Sequence, residues 1–435
     1  MSRLPSWLRR KRVVIPLAVV VLAALGVLGA ALALHYRRPS VGGLITSSLT
    51  NVSVSTAKPP PVKPHKPHKP RKPHKPSGPQ ETCWNTFGGN PERTLSLAHT
   101  ALGTPAKVVW SKGLHGLMEY PPSYCDGRLY VNLELGLTLA IDARTGRTIW
   151  RRKAAGFTAS TPAIAGPRLI VSSHGGTVTA FLRSNGRTLW QLKTDAPVES
   201  SPVVVGGTVY VGAADGRLFA LNVATGHPRW VYDVGGRISS SPSVFAGRVC
   251  ITTYSGLILC LHVGTGKLIW ATAVRRDFVQ YDSFYASPST DGTRVFTVSR
   301  SGGVVALAAK NGRILWTHGL GTTAYGTPSI ANGRVFFGDF NGNVTAFRTT
   351  TGARLWQTYV GGRILGPTLV VGGLVYCSTL EGNTYAIRTV DGRVVWHFHA
   401  GKYAPGIATN RFYYFSLNGL LIAYKGKYAV EAGKS

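Results

Sequence analysis

Residues 216–230 read GRLFALNVATGHPRW, and the same skeleton returns at 342–356 as GNVTAFRTTTGARLW and at 382–396 as GNTYAIRTVDGRVVW. Each segment opens on Gly and places Ala fifth, a second Gly eleventh and Trp fifteenth. Working outward, eight tryptophans set a frame: Trp110, Trp150, Trp190, Trp230, Trp270, Trp316, Trp356 and Trp396, spaced by 40 residues except for one interval of 46. The Ala keeps step at 140, 180, 220, 306, 346 and 386, with Cys260 in the one exception. A fixed period near forty marks a repeat whose unit cannot bury its apolar face alone.

The unit divides into four short strands. In residues 201–234, SPVVV is followed by Gly206-Gly207, TVYVGA by Asp215-Gly216, RLFALNV by Thr225-Gly226, and PRWVYDV closes the unit. Alternating apolar, β-branched and aromatic residues between Gly-containing turns predict hairpins. Four antiparallel strands per forty residues predict a propeller blade. After Trp396 come only three more strands, PGIAT, NRFYYFSL and GLLIAYKG, while AKVVW, ending in Trp110, stands alone before the first unit. Pairing those chain ends gives an all-β, eight-bladed propeller with no open edge blade.

Composition agrees. The 435 residues include 52 Gly, 18 Tyr, 15 Phe and 10 Trp but only 2 Met, and 15% are charged. That balance favours strands and turns over helices, and an apolar share of 44% excludes a wholly disordered chain. The net charge is +32. Residues 1–80 hold 14 Lys or Arg and no acid, so the remainder carries 35 − 17 = +18. Both parts are suited to an anionic partner. The five cysteines include no CxxC pair, which argues against a zinc ribbon or a thioredoxin-type motif.

The chain divides into a basic tip (1–12), an apolar span (13–34), a disordered Pro/Lys/His-rich stalk (35–80), the propeller (81–425) and a disordered tail (426–435). The 22 uncharged residues 13–34 are long enough to cross a bilayer as a helix. Five cations precede the span and Arg37 and Arg38 follow it, which places the N-terminus in the cytoplasm and the propeller outside. Ala31-Leu32-Ala33 also offers a cleavage site, but the span exceeds an ordinary signal-peptide core. Within 58–79, KPPPVKPHKPHKPRKPHKPSGP places Pro at every third position from 61 to 79. That matches polyproline II. It reads either as a spacer of ~60–70 Å at ~3.1 Å per residue or as an adhesive to anionic polymer. His65, His68 and His74 in this tract read as polar filler.

The three quoted segments resemble the repeat of pyrroloquinoline-quinone-type β-propellers, and CWNTFGGNPERT at 83–94 is similar to the segment that precedes such propellers. The resemblance spans 83–425 and implies the blade type, with Trp docked on the neighbouring blade. It does not fix function, because the family holds both quinone-dependent dehydrogenases and non-enzymatic assembly lipoproteins. A dehydrogenase implies a quinone, calcium and a carboxylate base in the funnel. Against this stand the lack of adjacent cysteines, the lack of long inserts and the 17 acids in all.

Four sets of residues are site candidates. The position before each innermost strand gives a funnel ring of Glu119, Ala159, Glu199, Ser239, Tyr285, Tyr325, Leu365 and Pro405, in which Glu119 and Glu199 are a candidate cation pair or two solvated carboxylates. The connection after Trp270, VRRDFVQYDSFYASP, is six residues longer than the period and concentrates Arg275, Arg276, Phe278, Tyr281, Phe284 and Tyr285, residue types that partner-binding loops favour. On one face of the disc, the first-to-second-strand turns bring Arg128, Arg168, Arg248, Arg294, Arg334 and Arg411, and the third-to-fourth turns bring Arg147, Arg187, Lys267, Arg313 and Arg393. Such a face attracts an anionic surface and loses hold in salt. Cys250 and Cys260 replace an aromatic or aliphatic residue and an Ala in one hairpin, which predicts a cross-strand disulfide; Cys83 with Cys125 is a second pair, leaving Cys377 free.

The expectation is a non-enzymatic binding or scaffold module of the cell envelope, without cofactor or metal. Its partner is an envelope protein or an anionic wall polymer, with the membrane engaged through 13–34. Nucleic acid is disfavoured by location and by the lack of a stacking platform. The alternative is a quinoprotein dehydrogenase.

Overall fold

Each forty-residue unit folds into one antiparallel sheet, and the eight sheets form a ring. The computed structural model describes residues 42–45, 53–56, 83–154, 156–276, 280–417 and 419–428. Blade one consists of Ser123–Cys125, Arg128–Leu133, Leu137–Asp142 and Thr148–Lys153, from the axis outward. Blades two to seven start with the innermost strands Ala163–Ala165, Val203–Val205, Ser243–Phe245, Ser289–Thr290, Ser329–Ala331 and Leu369–Val371. Blade eight joins Ile407–Ala408, Phe412–Leu417 and Leu420–Tyr428 to an outermost strand from the other end of the propeller, Leu102–Gly113. That last pairing closes the ring, with Trp110 opposite Ala423. It extends to Tyr428, three residues into the stretch expected as tail.

The repeat residues have a single physical role. The Ala lies directly opposite the Trp of its own blade, as Ala140 does Trp150 and Ala220 does Trp230. Both of these alanines are fully buried, so a larger side chain has no room there. The Trp then reaches into the next blade. Its indole N–H donates to a carbonyl in that blade's third-to-fourth turn: Trp110 to Ala143, Trp150 to Arg183, Trp190 to Val223, and so on to Trp356 with Thr389, at 2.9–3.1 Å. The turn Gly beneath the ring has a positive φ, +79° at Gly226, and a Cβ there would lie 2.6 Å from Trp190. The Gly four residues before one Trp is therefore the seat of the preceding blade's Trp.

The non-repeating leader lies across the axis. Asn85 O accepts from Ile164 N of blade two, Pro91 O from Val244 N of blade four, Glu92 O from Thr290 N of blade five and Thr94 O from Ile330 N of blade six. Ser96–Leu97 then adds a parallel strand inside blade seven. The leader thus plugs the channel at the end bearing the first-to-second-strand turns. Arg93 is completely buried in this plug and donates to Pro242 O at 2.5 Å, Phe87 O at 2.6 Å and Ser201 O at 3.0 Å. Burial lowers its pKa to about 9, so it remains cationic at pH 7, solvated by carbonyl dipoles.

Part of the segment expected as a disordered stalk is docked. Val54–Thr56 pairs antiparallel with the outermost strand of blade two, opposite Leu192, Gln191 and Trp190. Leu44 bridges to Tyr232 on blade three, and Ile45 N donates to Val231 O at 2.9 Å. β-branched residues at an open strand edge explain the difference, because the ladder satisfies backbone groups that a free stalk would leave to water. The apolar span 13–34 and the Lys/Pro tract 58–79 lie outside the described residues; among the described residues no helix is long and apolar enough to cross a membrane.

Candidate functional site

The plug leaves one mouth of the channel open, on the face of the inter-blade loops. This funnel encloses about 580 Å³ including its mouth, and Phe87 of the leader is part of its lining. Of the ring expected from the Trp register, Glu119, Ser239, Tyr285, Tyr325 and Leu365 line it. Ala159 is buried. Tyr120 and Tyr403 join the wall. Tyr120 was one position away from the ring that the register gives. Phe87 carried no signal at all, because the leader lies outside the period.

The wall is aromatic and ordered. Tyr120 and Tyr285 share a hydrogen bond of 3.4 Å between hydroxyls. Tyr285 meets Tyr254 and Tyr325 edge-on at 6.4 and 6.0 Å, and Tyr325 meets Phe340 at 6.4 Å. Arg237 stands over Tyr254 at 5.4 Å and Arg363 over Phe340 at 5.5 Å. Four blades therefore contribute to one continuous arc with a cation near each end. Edge-on rings and Arg–ring pairs of this kind add attraction beyond buried area.

The carboxylates are already engaged. Glu119 is half-buried, and its pKa is raised to about 7, first by burial, then by a shared hydrogen bond with Glu134 and by the charges of Glu134 and Glu199. Glu199 is buried and receives Arg237 at 2.5 Å, with His174 Nε2 at 3.9 Å. Its Oε2 is buried without a partner. Burial also pushes Tyr285 up to about 12 and Tyr120 well above 10, so both hydroxyls keep their protons at neutral pH.

These groups do not fit calcium. That ion takes six to eight oxygens, mostly charged. Here one carboxylate is spent on Arg237 and the other is only partly ionised at neutral pH. Among the described residues the only clustered trio of ligand-type side chains is Cys83, Cys125 and Asp126, and the two cysteines are bonded to each other. The arrangement suits binding of a neutral or cationic, partly apolar group, not polarisation of a quinone.

The insertion after Trp270 needs correcting as a contact patch. Phe284 is fully buried between blades four and five with Trp270 and Val295, so it cannot meet a partner. Tyr285 belongs to the funnel wall. Phe278 lies outside the described residues. Arg275 and Arg276 are exposed, and Arg275 stands over Tyr281 at 5.3 Å in a small hairpin. The disulfides are Cys83–Cys125, tying the plug to blade one, and Cys250–Cys260, whose members sit directly opposite in blade four. Cys377 is free and buried.

On the opposite face, Arg128, Arg168, Arg248, Arg294 and Arg334 open the second strands of their blades. They are half-buried, while Arg147, Arg313, Arg393, Arg411 and Lys267 are exposed at the turns and Arg187 is half-buried. Acids neutralise only part of this face: Asp291 pairs with Arg294 at 3.1 Å and Asp126 with Arg183 at 3.1 Å.

Among solved structures the chain is similar to BamB from Moraxella catarrhalis, at 19% identity and a TM-score of 0.50 over 61% of this chain and 95% of that one. It is similar to quinohemoprotein alcohol dehydrogenase from Comamonas testosteroni, at 15% identity and 0.65 over 81% and 82%. It is similar also to the computationally designed Ika8 protein, at 12% and 0.63 over 73% and 100%. These likenesses carry the fold alone. No curated protein matches the chain. Residues 100–318 and 300–427 match the sequence family PQQ_2, described as outer membrane protein assembly factor BamB, and with most of the propeller so covered the chain belongs to that family of PQQ-type repeat propellers.

Proposed function

We propose that this chain is a single-pass membrane protein with a cytoplasmic N-terminus, whose propeller works outside the cytoplasm as a non-enzymatic binding module of the cell envelope, with an envelope protein as its partner. Membership of a family described by an assembly factor supports the scaffold reading. The observation that carries it is the funnel mouth: a rigid aromatic arc on loops, floored by the leader, with one carboxylate paired and the other only partly ionised at neutral pH. Such a rim offers anchors of the type that dominate protein interfaces, on loops held by a rigid scaffold.

The test is a photo-crosslinking amino acid at Tyr325 or Phe340 in living cells, with Lys267 on the other face as control. A discrete crosslinked protein from the rim and none from Lys267 is expected; no adduct from either rim position would overturn the reading. For the quinoprotein alternative, titration of the chain with pyrroloquinoline quinone and calcium should leave the quinone spectrum unchanged. A perturbed spectrum would reopen catalysis.

A second reading, adhesion to an anionic wall polymer, is favoured by the excess of Arg over acid on the turn face. Cosedimentation with isolated wall material should then fall with salt and with neutralisation of the turn arginines. Pelleting that is indifferent to both would remove it.

A further inference from the structure

The repeat supplies its own controls for one feature of the turn face. In blades one to seven the first residue of the second strand sits opposite the last of the third. Blade one pairs Arg128 with Asp142 there, blade two Arg168 with Leu182, blade three Thr208 with Asn222, and blade four Arg248 with His262. Blade five pairs Arg294 with Ala308, and blade seven Leu374 with Arg388. Blade six alone sets two guanidinium residues against each other, Arg334 and Arg348. Like charges directly opposite on neighbouring strands repel.

No described residue relieves that repulsion. Among the described residues neither Arg is in an ion pair, whereas Arg294 and Arg388 each have an Asp three residues away. Arg334 donates only to the carbonyl of Asn332, at 3.3 Å, and its Nε is buried without a partner. The two side chains flank an open niche of about 520 Å³ floored by Gly333, Thr349 and Thr350, with no acid in its lining.

We infer that this niche binds a phosphate-type oxyanion bridged between Arg334 and Arg348. Planar guanidinium forks match phosphate oxygens two by two, and an anion between them turns the repulsion into attraction. The source is either free phosphate or the phosphodiester of an anionic polymer. In the latter form the inference deepens the polymer reading above, but the niche does not depend on it.

The test is calorimetric titration of the full chain in non-ionic detergent with inorganic phosphate and, separately, with poly(glycerol phosphate). The variant R348D rebuilds the Arg–Asp pair of blade one, so its melting temperature should not drop. Its affinity for inorganic phosphate should fall at least tenfold, while Arg388→Ala, at the position of blade seven equivalent to Arg348 and already paired with Asp391, stays within twofold of the parent. Should R348D fail to fold, R334Q combined with R348Q makes the same comparison. The Lys/Pro tract is common to all variants and cancels. Loss of both ligands in R348D assigns the niche to polymer phosphodiesters; loss of inorganic phosphate alone assigns it to a free oxyanion. Unchanged phosphate affinity in R348D, or no saturable phosphate binding by the parent, overturns the niche. Polymer binding that persisted in either case would leave the polymer reading standing.

Discussion

At Gly226 and its equivalents, backbone conformation and packing make the same demand. The left-handed φ costs an L-residue ~1–2 kcal/mol, and a methyl would push the indole of Trp190 off its seat. Gly226→Ala should therefore lower stability by about 3 kcal/mol or more, read from chemical denaturation. Glu119 makes a pH-dependent prediction. Its pKa is raised in the fold, so its contribution is full below about pH 4.5 and is lost as pH rises through about 7. The melting temperature of the parent minus that of Glu119→Gln should thus be more favourable at pH 5 than at pH 8. An equal difference at both values would show that Glu119 ionises freely. The seat glycines, the Ala opposite each Trp and most of the funnel ring were legible because the repeat prints them at fixed spacing. The raised pKa of Glu119 was not, since it depends first on burial and then on Glu134, which is remote from the ring position.

Among the elements, the leader governs the open end of the channel, and it was the least legible. Its carbonyls accept from strand amides of six different blades, so no period or pattern in residues 83–98 announces them. Arg93 is its keystone. Arg93→Met leaves three buried carbonyls without a donor and should cost on the order of 3–5 kcal/mol, seen as an early thermal transition and a funnel open to dyes. The two disulfides differ in the loop they close, 42 against 10 residues. Chain entropy gives ~4 and ~3 kcal/mol respectively. Cys83→Ser with Cys125→Ser should accordingly lower the melting temperature more than the Cys250, Cys260 double serine variant does.

For the whole molecule, the docked segments reset the geometry of attachment. Only residues 35–41 separate the expected membrane span from Gly42 on blade three, at most ~25 Å of chain. The Lys/Pro tract instead joins two docked points, Thr56 and Cys83. Extra KPH triplets inserted within 58–79 should therefore leave the distance between propeller and bilayer unchanged by energy transfer, while the same insertion at 35–41 should increase it. Reading the whole of 35–80 as a free stalk missed the docking at 42–45 and 53–56, because composition reports stiffness and charge but not where residues dock. Closure, by contrast, was legible, because three strands after Trp396 need a fourth and only one was spare.

That closure and the plug together impose a schedule on synthesis. Trp84 in the leader donates to Ala408 near the end of the propeller, and Leu102–Gly113 waits for Leu420–Tyr428. As the chain emerges during synthesis, the leader appears before the blades yet has no completed seat until the last blade arrives. Each early blade must persist with its apolar flank and strand edge uncovered while some three hundred residues follow. Contacts of such long sequence span make folding slow and aggregation-exposed. A holding chaperone at the exit site, or a deliberate pause before the final strand, would shorten that exposure.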